Sequence, residues 1–163
     1  MKKITLIIAS ILALALFVTG CTAKPAEEAN SGEAAQANAA AAVEEEKTYQ
    51  YYTADQTKAA VENNEDIILL DIQVEDEWAA HHIKGAIPTH AYPVKTDEDT
   101  AKLDTVVSKL EGDQPIIVIC PGGKGGATRT VDYLSGSKGI AAERLFILEN
   151  GQGGWPYDEL LEK

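Results

Sequence analysis

The sequence has little positive charge, few aromatic residues and almost no cysteine. Its 163 residues include 14 Lys and Arg against 26 Asp and Glu, a formal net charge of −12, and 6% aromatic residues. Without a cationic excess the chain cannot displace the counterions of duplex nucleic acid, and it has few rings to stack on bases. The composition therefore argues against a nucleic-acid partner, and the length suits one domain with accessory segments.

Cysteine occurs at only two positions, Cys21 and Cys120. Cys21 ends the sequence Val18-Thr19-Gly20-Cys21, which follows a lysine pair and the apolar run Ile4–Val18. This is the form of a secretory signal, with an apolar core too short to span a membrane comfortably. The last four residues resemble a bacterial lipobox, which implies cleavage before Cys21 and lipidation of its thiol. An uncleaved anchor and ordinary secretion are the alternatives.

Composition divides the chain into three predicted segments: a lipoprotein signal peptide over 1–20, a lipidated tether over 21–47 and a folded domain over 48–163. The tether is rich in Ala and Glu and has no aromatic residue, so it cannot bury a core and is predicted to be disordered. Cleavage removes two lysines and takes the net charge from −12 to −14. Acyl chains must therefore hold the protein at the outer face of a cytoplasmic membrane or the periplasmic side of a membrane.

Short apolar runs predict buried strands over Ile67–Leu70, Ile116–Ile119 and Leu145–Leu148. Helical patterns lie between and around them: a capping box at Thr53–Gln56 that starts a helix to about Asn63, one or two turns over Glu75–His82, a helix over Thr100–Leu110, a helix that restarts over Thr128–Leu134 and a last turn over Pro156–Leu161. Gly85–Pro88 is predicted to turn into another short strand. Strands that alternate with helices predict a single α/β domain whose parallel sheet is covered on both faces.

Cys120 directly follows the second apolar strand, at the sheet edge where parallel α/β proteins bind ligands. The loop after it comprises Pro121, Gly122, Gly123, Lys124, Gly125, Gly126, Ala127 and Thr128. Four glycines in five residues allow successive backbone N–H groups to converge, and the following helix N-terminus adds its positive dipole end. The loop is therefore predicted to bind an anion, with Lys124 as a point charge. It favours a thiolate or persulfide at Cys120, the candidate nucleophile. A glycine-rich surface turn beside a buried structural cysteine is the alternative.

Four segments, in the right order, resemble those of the rhodanese (sulfurtransferase) family. They are Leu69–Gln73, Glu77–Pro88, Ile116–Cys120 and Leu145–Gly151 with Gly153–Trp155. The resemblance implies a single rhodanese-like domain with a roughly five-stranded parallel sheet and helices on both faces. It implies that Cys120 carries a persulfide sulfur from thiosulfate or a thiol persulfide to a small thiol, a cyanide-like molecule or a protein thiol, with no metal or organic cofactor.

The resemblance also assigns supporting residues. Asp71 is expected to bond backbone groups at a strand end, and His82 to pack in a turn. Trp155 either shapes the substrate mouth or ties the final loop to the core. Gln73 stands where the family has Arg, and Arg129 comes too late for the arginine of the cradle loop. We expect Arg129 on the first turn of the following helix, after a loop about one residue longer than usual.

Three other interpretations remain open. A catalytically weak binding or sensing module at the cell surface would fit the missing loop charges. A longer loop also resembles rhodanese-like phosphatases and arsenate reductases, but these need an Arg six residues after the cysteine, where Gly126 stands. A metal or redox site of His81, His82, His90 and Cys120 is disfavoured because adjacent histidines point about 100° apart on a helix.

Overall fold

The computed structural model describes residues 47–163, so the predicted signal peptide, Cys21 and all but the last residue of the predicted tether lie outside the described residues. The strands are β1 (Gln50–Tyr52), β2 (Ile68–Asp71), β3 (His82–Ile83), β4 (Ile87–Pro88), β5 (Ile116–Ile119), β6 (Leu145–Leu148) and β7 (Leu161–Glu162). A five-stranded sheet has the order β1-β6-β5-β2-β4, and every neighbouring pair in it is parallel. Strands β3 and β7 form a separate antiparallel pair. The predicted α/β fold with a five-stranded parallel sheet is confirmed.

Four α-helices connect the strands: α1 (Ala54–Glu62), α2 (Glu75–Ala80), α3 (Asp97–Asp104) and α4 (Gly125–Lys138). Short 3₁₀ turns occupy Val107–Leu110, Ala142–Arg144, Gln152–Gly154 and Asp158–Leu160. Helix α1 begins at the predicted capping box, in which Thr53 and Gln56 exchange side chain–backbone hydrogen bonds of 2.9 and 3.1 Å. Within the described residues, no helix is both long and apolar enough to cross a bilayer.

The predicted helices before β3 and β5 have other boundaries in the structure. The helix expected over Thr100–Leu110 begins earlier, at Asp97, because Thr96 and Asp99 form a second capping box. It ends at Asp104, and the remaining apolar positions lie on a separate 3₁₀ turn. The helical turns expected over Glu75–His82 end at Ala80, since His81 is extended and His82 begins β3.

The largest correction concerns the predicted loop after Cys120. Helix α4 begins at Gly125, three residues before the predicted start at Thr128, so the loop is only residues 121–124. Glycine is a poor helix former, but Gly126 leaves room for Tyr92: a Cβ there would lie 2.8 Å from two ring carbons of Tyr92. Arg129 therefore lies just beyond the first helical turn, not on it.

The middle of the sheet is buried on both faces, and this burial places Cys120. Strand β5 lies between β2 and β6, and all four of its residues are buried. Ile116, Val118 and Cys120 contribute to the core on the face that α4 covers, whereas Ile117 and Ile119 contribute to the core on the opposite face. The alternation follows from the two-residue period of a strand. It directs the Cys120 side chain towards the core beneath α4.

Candidate active site

Cys120 is a free thiol at the carboxyl end of the central strand, and it is buried. The residue is 1% exposed and belongs to a core cluster that includes Ile72, Ala91 and Ala127. The thiol is therefore shielded from bulk water in this structure. A reagent reaches the sulfur only when the residues that cover it move aside.

The backbone after Cys120 is fixed by contact with the loop that follows β6. The N–H of Gln152 donates to the Cys120 carbonyl and the N–H of Gly153 donates to the Pro121 carbonyl, each at 2.9 Å. Gly123 and Gly151 have φ angles of +62° and +61°. A Cβ on Gly123 would lie 2.7 Å from the backbone N of Gly151, and a Cβ on Gly151 would collide with the Cys120 carbonyl. The two loops can approach this closely only because both residues are glycine.

Unpaired backbone donors lie at the start of α4. In the hydrogen bonds of residues 47–163, none of the N–H groups of residues 124–127 acts as a donor. The first amides of a helix are free to bind a ligand, and the helix dipole makes this end favourable for negative charge. The turn after Cys120 thus leads directly into four donors suited to an anion.

The cationic side chains near the loop have different positions. Lys124 is exposed at the end of the loop, directly before α4. The Arg129 guanidinium is instead bound to backbone carbonyls: Nε donates to Pro93 and Val94 at 3.0 Å each, and Nη2 donates to Pro93 at 2.6 Å. Arg129 therefore holds the segment over residues 93–94.

Asp71 and Gln73 form a buried polar pair at the end of neighbouring strand β2. Asp71 is 0% exposed and Gln73 is 3% exposed. The Gln73 backbone N–H and side-chain Nε2 donate to the two oxygens of Asp71 at 2.8 and 2.9 Å. Burial raises the pKa of Asp71 to about 6, although both hydrogen bonds from Gln73 act in the opposite direction. The predicted strand-end bonding of Asp71 is confirmed, and its partner is a neutral amide.

His82 and Trp155 make contacts that fix local structure. The His82 ring stacks on Trp78 with 3.6 Å between centroids, and its Nδ1–H donates to the Trp78 carbonyl at 3.1 Å. Trp155 is 8% exposed, packs in the core with Leu148, and donates from Nε1 to the Tyr157 carbonyl at 2.9 Å. These contacts agree with the packing role expected of His82 and with the core-tying alternative for Trp155.

The histidines considered for a metal site are not brought together with Cys120. His81 is exposed, while the His90 Nδ1–H donates to the Gln73 carbonyl at 3.3 Å. Among residues 47–163, no three His, Cys, Asp or Glu side chains are grouped so that they could hold one metal ion.

One feature of the site was not predicted from the sequence: a pocket of about 370 Å³ that we call the α2 pocket. It is lined by Gln73, Asp76, Glu77, Ala80, His81, Pro121, Gln152 and Gly153. Gln152 is 4% exposed, and within the described residues neither amide atom of its side chain has a hydrogen-bond partner. An unsatisfied buried polar group costs about 1–3 kcal/mol. The only sequence signal was a polar residue between glycines after a strand, which alone indicates a turn.

Known proteins provide an independent comparison. The family model described as "Rhodanese-like domain" matches residues 53–156. A Bacillus halodurans protein is 22% identical, with a TM-score of 0.54 over 69% of this chain and 76% of the other. The rhodanese-like domain of an Anabaena protein is 23% identical, with a TM-score of 0.53 over 71% and 80%. Thiosulfate sulfurtransferase from Pseudomonas aeruginosa is 22% identical, with a TM-score of 0.50 over 70% and 20%. These structures support the fold, and no curated protein matches the sequence.

Proposed function

Because the chain belongs to the rhodanese-like domain family, we propose that it is a sulfurtransferase that works through a persulfide on Cys120. The observation that carries the proposal is the position of this free cysteine. It ends the central parallel strand, and the tight turn after it leads into four unpaired N–H groups at the start of α4.

The proposed first half-reaction loads sulfur onto Cys120. The thiolate attacks the outer sulfur of thiosulfate or a thiol persulfide and forms a new S–S bond. The S–S bond of the donor breaks, and sulfite or a thiolate leaves with the electron pair. In the second half-reaction a thiolate or cyanide attacks the outer sulfur of the persulfide, and the Cys120 thiolate is released. The two steps balance without an external oxidant, metal or organic cofactor.

The surroundings of Cys120 support a persulfide intermediate. Burial at 1% exposure keeps water away from the reactive sulfur. A persulfide is anionic near neutral pH, and free amides at a helix N-terminus stabilise an anion. Lys124 adds a positive charge that would favour the approach of an anionic donor such as thiosulfate.

A non-enzymatic binding or sensing module is the second candidate. Two observations favour it: the thiol is closed off in this structure, and the guanidinium of Arg129 is bound to Pro93 and Val94. The same position of Arg129 argues against phosphatase or arsenate reductase chemistry. That chemistry needs a forked cation at the oxyanion, and Tyr92 occupies the space into which a side chain on Gly126 would project.

The N-terminal sequence supports a proposal about where the protein is located in the cell. We propose that the protein is exported and held at a membrane by lipid on Cys21, with residues 22–47 as the tether. In cells that process lipoproteins, the wild type is expected in the membrane fraction. A Cys21→Ser variant is expected to lose the lipid mass and leave that fraction. Equal membrane retention of both proteins would contradict the anchor.

Steady-state turnover tests the enzymatic proposal. The protein is supplied with cyanide and either thiosulfate or a thiol persulfide, and thiocyanate release is measured. The wild type is expected to turn over with at least one donor, while Cys120→Ser falls to the uncatalysed rate. Cys21→Ser is the matched control, because it removes the other cysteine and should keep full activity. Turnover that survives Cys120→Ser would contradict the proposal, and absence of turnover with every donor would favour the binding module.

A further inference from the structure

We propose that Tyr92 determines which sulfur donor reaches Cys120, and that the preferred donor carries an apolar organic group on the part that leaves. This donor class depends on the proposed sulfur transfer and makes it more specific. Tyr92 is a specificity-determining residue in this proposal, because its ring contacts the organic group and takes no part in bond formation.

The ring of Tyr92 lies against the start of α4. A Cβ on Gly126 would lie 2.8 Å from two carbons of this ring and 3.3 Å from Cδ1 of Ile72. Gly126 belongs to residues 124–127, whose N–H groups have no acceptor within the described part of the chain. The Tyr92 ring therefore borders the amides that we assign to the anion.

The backbone holds Tyr92 beside the end of the Cys120 strand. The Tyr92 N–H donates to the Ile72 carbonyl at 2.8 Å, and the Ile72 N–H donates to the Ile119 carbonyl at 2.9 Å. Ile119 directly precedes Cys120. The Arg129 guanidinium binds the two carbonyls that follow Tyr92 and fixes the segment from its other side. Two hydrogen bonds thus connect Tyr92 to the residue before the nucleophile.

Tyr92 connects the buried site with the solvent. It is 36% exposed, whereas Ile72, Ala91 and Cys120 are at most 1% exposed. A tyrosine ring is a large and mostly apolar surface. A donor that approaches the end of the Cys120 strand therefore meets an aromatic ring beside the anion-binding amides.

A second exposed apolar residue lies at the same edge of the sheet. Val74 is 37% exposed and comes three residues after the end of β2, which pairs with the strand that ends at Cys120. The carbonyl of the preceding residue, Gln73, accepts from Nδ1–H of His90 in the segment of Tyr92. Single exposed apolar residues are common, but two on hydrogen-bonded neighbouring segments favour an organic ligand.

The polar groups of the site suit a donor with one negative charge and an uncharged organic group. The free amides of residues 124–127 and the exposed Lys124 can bind the anionic sulfur. The Arg129 guanidinium is already bound to backbone carbonyls, and the Tyr92 ring occupies the space beside Gly126. The oxygens of a sulfite group lose water on this ring without an equivalent gain in hydrogen bonds. An organic group gains about fourfold in affinity for each CH₂ that it buries.

The chemical step needs the donor as its only other reactant. An organic thiosulfonate, in which an alkyl or aryl group is attached to SO₂–S⁻, represents the class. The Cys120 thiolate attacks the outer sulfur, and a new S–S bond forms on Sγ. The S–S bond of the donor breaks, and the organic sulfinate leaves with the electron pair. An organic persulfide reacts in the same way and leaves as a thiolate.

Donor selectivity in the full chain tests the role of Tyr92. Benzenethiosulfonate and methanethiosulfonate both carry one negative charge and differ in the organic group. The rate at which each adds sulfur to the protein is measured by intact mass, and their different intrinsic reactivities cancel when the rate ratio is compared between proteins. We expect the benzene-to-methane ratio to fall about fivefold in Tyr92→Ala, because the phenyl group loses the surface on which it packs. If this variant does not fold, the same fall is expected in Tyr92→Gln, which retains more of the side-chain volume.

Two control variants separate contact with the donor from a structural role. Tyr92→Phe retains the ring and should keep the ratio within twofold of the wild-type value. Tyr51→Ala removes a tyrosine that is 49% exposed on the edge strand β1, which β6 separates from β5, and should also keep the ratio. A purely structural role of Tyr92 would change both rates equally. An unchanged ratio in the folded Tyr92 variant, or an equal fall in either control, would overturn the proposal.

A second readout keeps failure of this proposal separate from failure of the proposed function. N-phenylmaleimide and N-methylmaleimide form a thioether with Cys120 whether or not the protein transfers sulfur: the thiolate adds to the carbon–carbon double bond, and water supplies the proton. Their rate ratio, followed on the peptide that contains Cys120, should fall about threefold in the Tyr92 variant. If no donor loads sulfur but this ratio falls, the proposed function fails while Tyr92 still selects an apolar group. If sulfur loads but neither ratio changes, the role of Tyr92 fails alone.

Discussion

The loops that follow the neighbouring strands β5 and β2 are built in opposite ways. After β5, residues 121–124 are positioned by backbone groups and by glycines that fit against the loop after β6. At the end of β2, Asp71 and Gln73 are positioned by buried side chains that hydrogen-bond to each other. The loop after Cys120 leads to backbone N–H groups that have no partner within the described residues. At the end of β2, the donors of Gln73 are both bound to Asp71.

The difference separates the proposed site of chemistry, after β5, from a buried carboxyl group at the end of β2 that lowers stability when it ionises. A backbone cradle presents N–H groups whatever the neighbouring side chains are, so it keeps its donors although the family's arginine is absent. The end of β2 carries the carboxyl group of Asp71, which has a neutral partner, and burial raises its pKa to about 6. The unpaired N–H groups after the β5 loop can thus bind a negative charge. The surroundings of Asp71, in contrast, stabilise its ionised carboxylate poorly.

The largest expected effect comes from adding a side chain at Gly151, where the loop after β6 contacts the β5 loop most closely. Gly151→Ala places a methyl group against the Cys120 carbonyl at a residue with a φ of +61°. We expect it to lower the free energy of unfolding by about 3 kcal/mol and to abolish sulfur loading, because strain and a backbone collision add. Gly122→Ala is the control, since a Cβ there meets nothing within 4 Å. Equal stabilities in denaturant unfolding would show that the two loops do not need this close contact.

The β2 loop is tested by the pH dependence of stability. A carboxyl whose folded pKa of about 6 exceeds its unfolded value contributes stability below about pH 4 and loses it as the pH rises through 6. From pH 4 to 7.5, the wild type should therefore lose about 2–3 kcal/mol relative to Asp71→Asn, which cannot ionise. The measurement is the difference in unfolding free energy between the two proteins at each pH. A difference that stays constant would show that Asp71 ionises normally.

A substitution of Arg129 tests whether its charge, near the β5 loop, has a structural or a catalytic role. Arg129→Met removes the donors to the carbonyls of Pro93 and Val94 and should cost about 2 kcal/mol of stability. Because the guanidinium is held by those carbonyls, the rate of sulfur loading should change less than twofold under conditions in which the variant is folded. Thermal unfolding and the loading rate are measured on the same sample. A tenfold loss of loading without a loss of stability would place Arg129 in the anion site.

The smallest effect is expected at Lys124. This exposed residue should contribute less than about 0.5 kcal/mol to stability. Lys124→Met should slow loading from thiosulfate by about threefold, because one favourable charge is lost, and should leave loading from an uncharged thiol persulfide unchanged. Equal slowing with both donors would mean that Lys124 acts on the conformation of the loop and not on the approach of the anionic donor.

The sequence predicts most reliably the elements that are buried on both faces. Strands β5 and β6 have the predicted bounds, as expected of continuous apolar runs in a parallel sheet, while β2 spans Ile68–Asp71, one residue later than its predicted apolar run. The sequence places the start of α4 too late, because the low helix propensity of glycine argues against a helix at residues 125–126 and does not reveal that position 126 needs glycine to make room for Tyr92. The partners of Arg129 lie about 35 residues away, so local spacing could not reveal them.

The α2 pocket could not be predicted for a similar reason. Its walls come from three segments that are distant in the sequence: residues 73–81, Pro121 and residues 152–153. Asp76 and Glu77 alone indicate only a favourable charge at the start of a helix. The unpaired state of the Gln152 amide becomes visible only when every neighbouring polar atom has a position.

The most direct test of sulfur transfer by Cys120 is the intact mass of the protein after exposure to thiosulfate or a thiol persulfide, and again after cyanide. We expect a gain of one sulfur atom that cyanide removes, that also occurs in Cys21→Ser and that never occurs in Cys120→Ser. A protein that gains no sulfur from any donor, while Cys120 can still be alkylated, would contradict sulfur transfer and leave a binding module.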